Sequence, residues 1–257
     1  DCDVMDKAAW AAANPALSEF RSLSELESFA EQASRMPSKE NSFRWLYLNQ
    51  RIDASSPFIS RGVWTACGAA PAEIDGPVYA GLDLSSVSDL TAFVAMSPRD
   101  GVWQVHPQFW LPGDGLREKA KSDRVPYDVW HKGGFLNTTP GPTIDYEFVG
   151  QFLWDFCQAH DVRKIAFDRW GYNHLKPILS RLGFSDDQLD GDTAIFHPFG
   201  QGFQSMSPAL MTLEADLLNR RIAHGGHPVL TMCAQNAIVR MDPAGNRKLD
   251  KAKSHGR

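Results

Sequence analysis

Two short apolar runs that each end on an aspartate constrain the fold of this chain more than any other feature. Asp83 follows the run VYAGL, and Asp168 follows the run KIAF. A carboxylate at the edge of an apolar core must be paired, hydrogen-bonded or bound to a metal. If the two runs form neighbouring parallel strands, both carboxylates lie at the same edge of the sheet. That arrangement would hold divalent cations.

The order of the other elements predicts how these strands are connected. Tight connections make the first three strands antiparallel, and helical crossovers make the fourth and fifth strands parallel to the first. The predicted fold class is therefore α/β, with a mixed sheet flanked by helices on both faces. Ligands of such sheets bind at the carboxyl ends of the parallel strands. The predicted elements are strands at 78–84, 90–96 and 102–110 with a PRDG turn at 98–101, a helix at 145–160, a strand at 164–167, a helix at 172–182, a strand at 194–197, and helices at 207–221 and 229–239.

The first part of the chain has a different pattern. Residues 71–257 carry all the predicted strands, whereas residues 1–70 are predicted to be mostly helical, with helices at 6–13, 22–35 and 41–49. Ser24 is the expected N-cap of the second of these helices. The chain is therefore predicted to consist of a helical linker or appendage followed by one larger domain.

Composition and charge exclude some functional classes. With 43% hydrophobic and 22% charged residues the chain resembles an ordinary globular protein, and no apolar run approaches membrane-spanning length. Its four cysteines are scattered without a C-x-x-C pair, which favours reduced thiols in a cytoplasmic protein. The net charge of -5 argues against general nucleic-acid binding. The basic segment at 247–257 could still meet phosphate, or it could be a solvated end.

The residue types at the two strand ends indicate which metal they would bind. Carboxylate oxygens without thiolates favour Mg²⁺ or Mn²⁺. Two such ions about 4 Å apart activate water and stabilise the leaving oxygen of a phosphodiester. Either aspartate alone could instead be a cap or turn residue, but the pair at matched places favours Asp83 and Asp168 as metal ligands. Arg169 could contact phosphate or form a structural ion pair.

Other polar motifs carry less information. Ser85, Ser86 and Asp89 follow the first strand, where they could orient a ligand but more simply close a hairpin. The sequence HGGH at 224–227 is interpreted as a helix stop and turn rather than a metal pair. The loop GQG at 200–202 lacks the G-x-x-x-x-G-K-[ST] pattern of a phosphate-binding loop, so ATP hydrolysis is not expected from this chain.

Several of these segments together resemble a known family. The stretches GLDLSSVSDLTAF, IAFDRWGYN and the region from FGQGFQSMSPALMTLEADLL to KSHGR resemble the nuclease domain of tailed-bacteriophage terminase large subunits. The segments WAAANPALSEF and FRWLYLNQRID resemble the end of the ATPase portion of the same family and its linker. The resemblance covers essentially the whole chain.

The resemblance implies a fold, an activity and a set of partners. The fold is expected to be ribonuclease H-like, and the activity is expected to be metal-dependent cutting of concatemeric viral double-stranded DNA during genome packaging. Expected partners are the DNA, the terminase small subunit, the portal of the procapsid and the ATPase domain of the same polypeptide. The expected location is the host bacterial cytoplasm, with transient residence at the procapsid portal.

The resemblance also assigns residues. Asp83 and Asp168 correspond to the metal ligands on the first and fourth strands of the family. Arg169, Lys251 and Lys253 are further predicted to contact DNA. The third acid of the family is expected in a helix that begins just beyond Arg257, and the ATP-binding motifs are expected to precede Asp1. Asp242 and Asp250 lie before the place of the third acid and are not assigned as ligands. His255 lies close to that place and is given only a weak assisting role.

Two alternative functions remain open at this point. One is a docking module in which the sheet is a scaffold and the aromatic surfaces and basic tail bind DNA or a portal without cutting. The other is a ribonuclease H-like resolvase or transposase, which the predicted sheet alone does not exclude. The segments FGQGFQSMSPA and HGGHPV favour the terminase family over the second alternative.

Overall fold

A seven-stranded mixed sheet and a smaller three-stranded sheet organise the chain. This computed structural model describes residues 2–17, 19, 22–50, 56–85, 87–191 and 193–250. The strands are β1 Ser56–Pro57, β2 Pro77–Asp83, β3 Thr91–Arg99, β4 Val102–Pro112, β5 Asn137–Thr139, β6 Asp161–Phe167, β7 Phe196–Pro198, β8 Ile222–Ala223, β9 Ile238–Met241 and β10 Arg247–Leu249. The helices are α1 Lys7–Ala13, α2 Leu23–Arg35, α3 Pro37–Leu48, α4 Arg61–Ala66, α5 Leu116–Asp123, α6 Tyr127–Lys132, α7 Tyr146–Ala159, α8 Arg169–Leu182, α9 Asp186–Leu189, α10 Phe203–Leu218 and α11 Pro228–Asn236.

The strand order of the large sheet is β5-β4-β3-β2-β6-β7, and β8 pairs with β4 outside that path. Strands β2, β3 and β4 are antiparallel neighbours, whereas β6 is parallel to β2 and β7 is parallel to β6. This is the mixed sheet that the sequence predicts, with the first and fourth predicted strands side by side. The prediction of their parallel pairing is confirmed.

A two-residue turn joins β3 and β4. Asp100 and Gly101 both have positive φ, at 51° and 76°, which is the backbone that Asp-Gly adopts readily in tight hairpins. Pro98 and Arg99, which the sequence assigns to the turn, instead continue β3 and pair with Trp103 and Val102. The hairpin is therefore longer than predicted, and its register is fixed by the turn.

Two helices cover one face of the large sheet. Asp145 caps α7, since its carboxylate accepts a hydrogen bond from the Glu147 N–H at 3.0 Å. Gly150 allows α7 to approach α8 closely, because a Cβ there would lie 2.8 Å from Cγ2 of Ile178. The core beneath these helices contains side chains from β2, β3, β6 and both helices, including Leu82, Phe93, Leu153, Phe167 and Leu175.

The opposite face of the sheet is covered by helices from several parts of the chain. One cluster joins α4 and α10 to the sheet and includes Trp64, Val105 and Leu210. A second cluster, around Phe109 and Tyr127, joins α5, α6 and α11 to β4. Helices thus lie on both faces, as the sequence predicts.

The first three helices enclose a core of their own. It contains Trp10, Leu26, Ala30 and Phe43, and the Trp10 indole N–H donates to the carbonyl of Val4 at 2.7 Å. The next segment packs differently, because β1 pairs with β9 and α4 packs in the cluster with α10. The division into a unit at 1–70 and a unit at 71–257 stays a prediction.

Several predicted element boundaries are wrong. Ser22 rather than Ser24 caps α2, since its hydroxyl accepts from the Glu25 N–H at 3.3 Å. The third helix begins at Pro37 rather than at 41. The helix predicted from Ser207 begins four residues earlier and contains Pro208, because the Ser207 hydroxyl accepts from the N–H of Arg247 instead of capping a helix.

The small sheet and two paired edge strands are not predicted from the sequence. The last predicted helix ends at Asn236, and the residues after it form β9, which pairs with β1 and β10. The short strands β5 and β8 extend the large sheet beside β4. Within the described ranges, no helix combines the length and apolar character that a membrane crossing requires.

Candidate functional site

Asp83 and Asp168 lie at the same edge of the large sheet. Leu82 of β2 is in register with Phe167 of β6, and the two aspartates are the next residues along these parallel strands. The backbone of Asp168 is still extended, with φ -78° and ψ 130°, so it continues the line of β6. Neighbouring strands are about 4.8 Å apart. The two predicted site residues are therefore brought together by strand pairing.

Asp168 also begins α8. Its side chain accepts a hydrogen bond from the N–H of Trp170 at 3.3 Å, which makes Asp168 the N-cap of this helix. The sequence places the helix start at 172, but the cap moves it to Arg169. A carboxylate is stabilised at this position because the helix N-terminus carries partial positive charge.

The loop that follows Asp83 is tied to the sheet and to α7. The backbone N–H of Ser85 donates to the Thr91 hydroxyl at 3.0 Å, and the Tyr146 hydroxyl donates to the Ser85 carbonyl at 2.5 Å. Burial raises the pKa of Tyr146, so this hydroxyl keeps the proton that it donates. These bonds hold the chain immediately after Asp83 in one conformation.

The three polar residues predicted after the first strand have different positions. Ser85 is buried, and its hydroxyl has no hydrogen-bond partner within the described part of the chain. Asp89 is exposed, and Ser86 lies outside the described residues. The backbone bonds of Ser85 support the hairpin-closing interpretation for this residue.

A close contact joins the two loops that carry the aspartates. A Cβ on Gly171 would lie 2.7 Å from the Cβ of Leu84, which is closer than side-chain atoms approach. Glycine at this position thus allows the first turn of α8 to rest against the residue after Asp83. The separation of the two acidic loops is set by this contact together with the pairing of β2 and β6.

The electrostatic surroundings of Asp83 include a partly buried thiol. Burial and, as a smaller cause, the negative charge of Asp83 together raise the pKa of Cys233 to about 11. Cys233 is therefore a neutral thiol at physiological pH, and the ligands that this edge offers a cation are carboxylate oxygens. All four cysteines are free, as the sequence predicts.

The candidate ligand set contains two carboxylates. Across the described ranges, no three His, Cys, Asp or Glu side chains are grouped closely enough to hold a metal ion. Asp83 and Asp168 nevertheless supply the hard oxygen atoms that Mg²⁺ and Mn²⁺ prefer, so the donor set fits these ions.

An open groove of about 700 Å³ adjoins Asp168. Tyr146 and His174 stack on one another at its wall, with ring centroids 6.4 Å apart. Arg169 lines the groove and forms no salt bridge to any residue of the described part of the chain. Lys251 and Lys253, the other predicted DNA contacts, lie outside the described residues, as does His255.

The histidines of the HGGH sequence have structural roles. His224 is buried and stacks on Trp64 with ring centroids 4.0 Å apart, and its Nε2 lies 2.8 Å from the Trp64 carbonyl. Nδ1 of His227 accepts from the N–H of Leu230 at 3.4 Å and caps α11. The turn is confirmed, whereas the predicted helix stop is wrong, because the turn follows β8 and leads into the start of α11.

Three residues near the site are not found by sequence reasoning: Tyr146, Trp170 and Gly171. Trp170 and Gly171 follow Asp168 in the chain, so their closeness to a predicted metal ligand in the sequence is the signal that could identify them. Tyr146 is far from both aspartates in sequence, and only the folded chain brings it to the Ser85 carbonyl.

Comparison with known proteins identifies the family. The family model described as the terminase large subunit, endonuclease domain, matches residues 1–257 of this sequence. The chain is 50% identical over 258 residues to the terminase large subunit of Enterobacteria phage HK97, a match that covers 100% of this chain and 50% of that protein. It is 25% identical over 219 residues to protein YmfN of Escherichia coli strain K12, covering 80% of this chain and 46% of that protein.

A solved structure supports the same assignment. The crystal structure of the HK97 bacteriophage large terminase matches with a TM-score of 0.72 and 49% identity, covering 100% of this chain and 52% of that chain. The chain thus spans about half the length of the relatives that it matches. Its fold is ribonuclease H-like, as predicted. On these grounds, the chain belongs to the endonuclease-domain family of terminase large subunits.

Proposed function

We propose that the chain is a metal-dependent endodeoxyribonuclease that cuts concatemeric viral double-stranded DNA during genome packaging. The observation that carries this proposal is the position of Asp83 and Asp168 at one edge of two parallel neighbouring strands. Membership of the endonuclease-domain family supports the reaction class. The family match also favours this function over the docking module and over a resolvase or transposase.

Asp83 and Asp168 are the residues that would hold Mg²⁺ or Mn²⁺ here. When bound, a pair of such ions would supply an activated water and balance the charge that develops on the phosphodiester. The third carboxylate expected beyond Arg257 stays a prediction. The protein itself would hold the two carboxylates at a fixed separation, through the β2–β6 pairing and the contact of Gly171 with Leu84.

Basic side chains would position the DNA. Arg169 adjoins Asp168 and lines the groove, so its guanidinium is available to a phosphate. Lys251 and Lys253 are proposed as further phosphate contacts on the basis of the sequence. Contacts to phosphate position a strand without identifying its bases, so cutting is expected to depend little on sequence.

The proposed partners follow from the family. They are double-stranded DNA, the terminase small subunit, the portal of the procapsid and an ATPase domain in the same polypeptide. The proposed location is the host cytoplasm, with transient residence at the portal. The similarity to the terminase large subunit of phage HK97 over the whole chain supports these assignments.

Nicking of supercoiled plasmid in Mn²⁺ tests the proposal. Asp83→Asn and Asp168→Asn should each reduce nicking by more than about 100-fold, because changes to residues that only support metal ligands already cost about 10–100-fold. Asp89→Asn, an exposed carboxylate in the loop after β2, is the matched control and should retain activity. Metal-dependent nicking that survives Asp83→Asn would remove this residue from the mechanism.

Calorimetric titration of Mn²⁺ provides a second test that does not depend on cleavage. The wild-type chain should bind the ion, and Asp83→Asn and Asp168→Asn should weaken binding. Absence of binding to the wild-type chain would favour the docking module.

A further inference from the structure

Trp170 is the most exposed large hydrophobic side chain among the described residues, with 81% of its surface exposed against 59% for the next, Val129. A single exposed hydrophobic residue is common on protein surfaces and needs no special explanation. The position of Trp170 is what distinguishes it. Its backbone N–H donates to the Asp168 carboxylate, so the indole is attached two residues from a proposed metal ligand.

The face of α8 that carries Trp170 differs from its buried face. Gly171, Tyr172, Leu175 and Leu179 pack toward the sheet. The opposite face of α8 lines the groove with the guanidinium of Arg169, the indole of Trp170, the amide of Asn173 and the imidazole of His174. One turn of helix therefore presents a flat stacking surface beside a cation and hydrogen-bonding groups.

The groove has room for part of a nucleic-acid strand. Its volume of about 700 Å³ is within the range of pockets that hold small organic ligands, roughly 300–1,000 Å³. One wall is fixed, because Tyr146 stacks on His174 and its hydroxyl is bonded to the carbonyl of Ser85. The groove is thus a preformed surface beside the end of β6, and Asp168 lines it.

This combination of groups favours a nucleic-acid strand over a protein partner. Grooves that bind single-stranded nucleic acid combine positive charge along the backbone with aromatic rings on which bases stack. Arg169 has no carboxylate partner in the described part of the chain, so its charge is available to a phosphate. Trp, Tyr and Arg are also common at protein interfaces, so the feature that favours DNA here is the position of the Arg169 guanidinium beside Asp168, a proposed metal ligand for phosphodiester cleavage.

We propose that Trp170 stacks on an unpaired base of the DNA strand whose backbone lies at Asp168, while Arg169 contacts a phosphate of that strand. This inference rests on the proposed function and specifies its substrate. In a regular duplex the faces of the bases are covered by their neighbours, so an indole stacks on a base only where the strand is frayed, nicked, mismatched or flipped out. The preferred substrate is therefore DNA with locally unpaired bases.

Equilibrium binding tests the proposal without any cleavage. Three fluorescein-labelled probes are compared by fluorescence anisotropy in EDTA: a single strand, a fully paired duplex of the same length, and that duplex with a central unpaired bubble. Wild-type protein should bind the single strand and the bubble more tightly than the duplex. Trp170→Ala should weaken binding to the first two about 5- to 150-fold, which is the value of one base–aromatic stack. Binding to the duplex should change less than about twofold.

Matched variants identify the contribution of the indole. Trp170→Phe retains a ring and should recover most of the affinity for the bubble. Met211→Ala removes another exposed apolar side chain, on α10, and should leave all three affinities unchanged. Arg169→Ala should weaken binding to all three probes by the same factor. It should also reduce the slope of log affinity against log salt concentration by about one, as loss of one phosphate contact does.

A base analogue reports on stacking directly. 2-Aminopurine placed in the bubble should lose fluorescence when wild-type protein binds, and Trp170→Ala should abolish that change. Equal loss of affinity for all three probes in Trp170→Ala would overturn the proposal. No loss for any probe would also overturn it and would indicate a protein contact at Trp170. Plasmid nicking by wild type and Asp83→Asn tests the nuclease assignment separately, so failure of either idea can be recognised.

Discussion

Carboxylates are held in opposite ways in two regions of this molecule. Glu214 of α10 is buried, and one of its oxygens accepts from the Arg247 guanidinium of β10 at 2.6 Å. Asp83 and Asp168 instead lie at the end of β2 and just past the end of β6, where the first is exposed and the second is partly exposed. The buried carboxylate joins two elements of the fold, whereas the carboxylates at the sheet edge lie where a ligand can reach them.

One carboxylate lies inside the fold and stabilises it, whereas the other two lie at a solvent-accessible edge of the sheet. A buried ion pair is costly to break, because the remaining partner is left charged and unsolvated. An exposed carboxylate can be replaced with little effect on folding. We therefore expect substitutions at Glu214 to act on stability and substitutions at Asp83 and Asp168 to act on metal binding.

The largest effect on stability is expected for Glu214→Gln. Loss of its charge leaves the Arg247 guanidinium, whose side chain is only 14% exposed, without its counter-charge, which should lower the free energy of unfolding by about 3–5 kcal/mol. Urea-induced unfolding measures this change. Glu27→Gln is the matched control, because Glu27 pairs with Lys7 at the surface with side chains 40% and 61% exposed, and it should cost less than about 1 kcal/mol. Similar losses in the two variants would contradict the comparison.

Gly171→Ala should have the next largest effect. Its Cβ would overlap Leu84, and overpacking of this kind costs about 1–3 kcal/mol. Affinity for Mn²⁺ should fall as well, because the clash moves apart the loops that carry Asp83 and Asp168. Unfolding in urea and calorimetric titration measure the two effects.

Two further variants test whether the Gly171 effect arises from that clash. In a Leu84→Gly background, Gly171→Ala should cause smaller losses of stability and of Mn²⁺ affinity, because the Cβ of Leu84, the atom nearest to the added methyl, is then absent. Gly62→Ala is the control, since no atom lies within 4 Å of the added Cβ and the residue is in α4. It should be neutral or slightly stabilising. Equal losses of stability in Gly171→Ala and Gly62→Ala would indicate a general cost of replacing glycine with alanine and not a clash with Leu84.

Asp83→Asn and Asp168→Asn should change stability least among these variants. In EDTA the free energy of unfolding should shift by less than about 0.5 kcal/mol, because both positions are at least partly exposed and asparagine can still cap α8. Added Mn²⁺ should raise the melting temperature of wild type, and of either variant much less, since a ligand stabilises only the state that binds it. A large loss of stability in EDTA would assign the aspartates a structural role.

Acid should weaken the region around α11 through His227. Burial lowers the pKa of His227, so the folded state favours the neutral ring that accepts the Leu230 N–H. A histidine with a lowered folded pKa contributes stability above its unfolded value near 6.5, and this stability is lost as the pH falls. Unfolding measured from pH 7.5 to 5 should show this decline, and His227→Asn should reduce it. His197→Asn, at an exposed histidine, is the control.

Much of the site could be predicted because its main determinants are local. Apolar runs before Asp83 and Asp168 identify the strand ends, and the turn and crossover lengths identify which strands are neighbours. The direction of pairing then follows from general rules of chain connection. The structure agrees with each of these steps.

The rest depends on contacts between residues that are distant in sequence. The hydrogen bond from Tyr146 to the Ser85 carbonyl and the buried pair of Glu214 with Arg247 leave no periodic signal in the chain. Strands as short as β8 and β10 have too few residues to show alternation. Pro208 indicates a helix start in the sequence because proline favours the first turn, but it lies inside α10.

The cap at the start of α8 has a consequence for how Asp168 can share its two oxygens. Oδ1 already accepts the amide proton of Trp170. Oδ2 is thus the atom that can turn toward an incoming ion while the helix start stays intact. A shift of the first turn of α8, such as one caused by pressure on the indole, would pull on Oδ1 and rotate the whole carboxylate. Asp168 would then couple the binding of a ligand in the groove to the binding of an ion at the edge of the sheet.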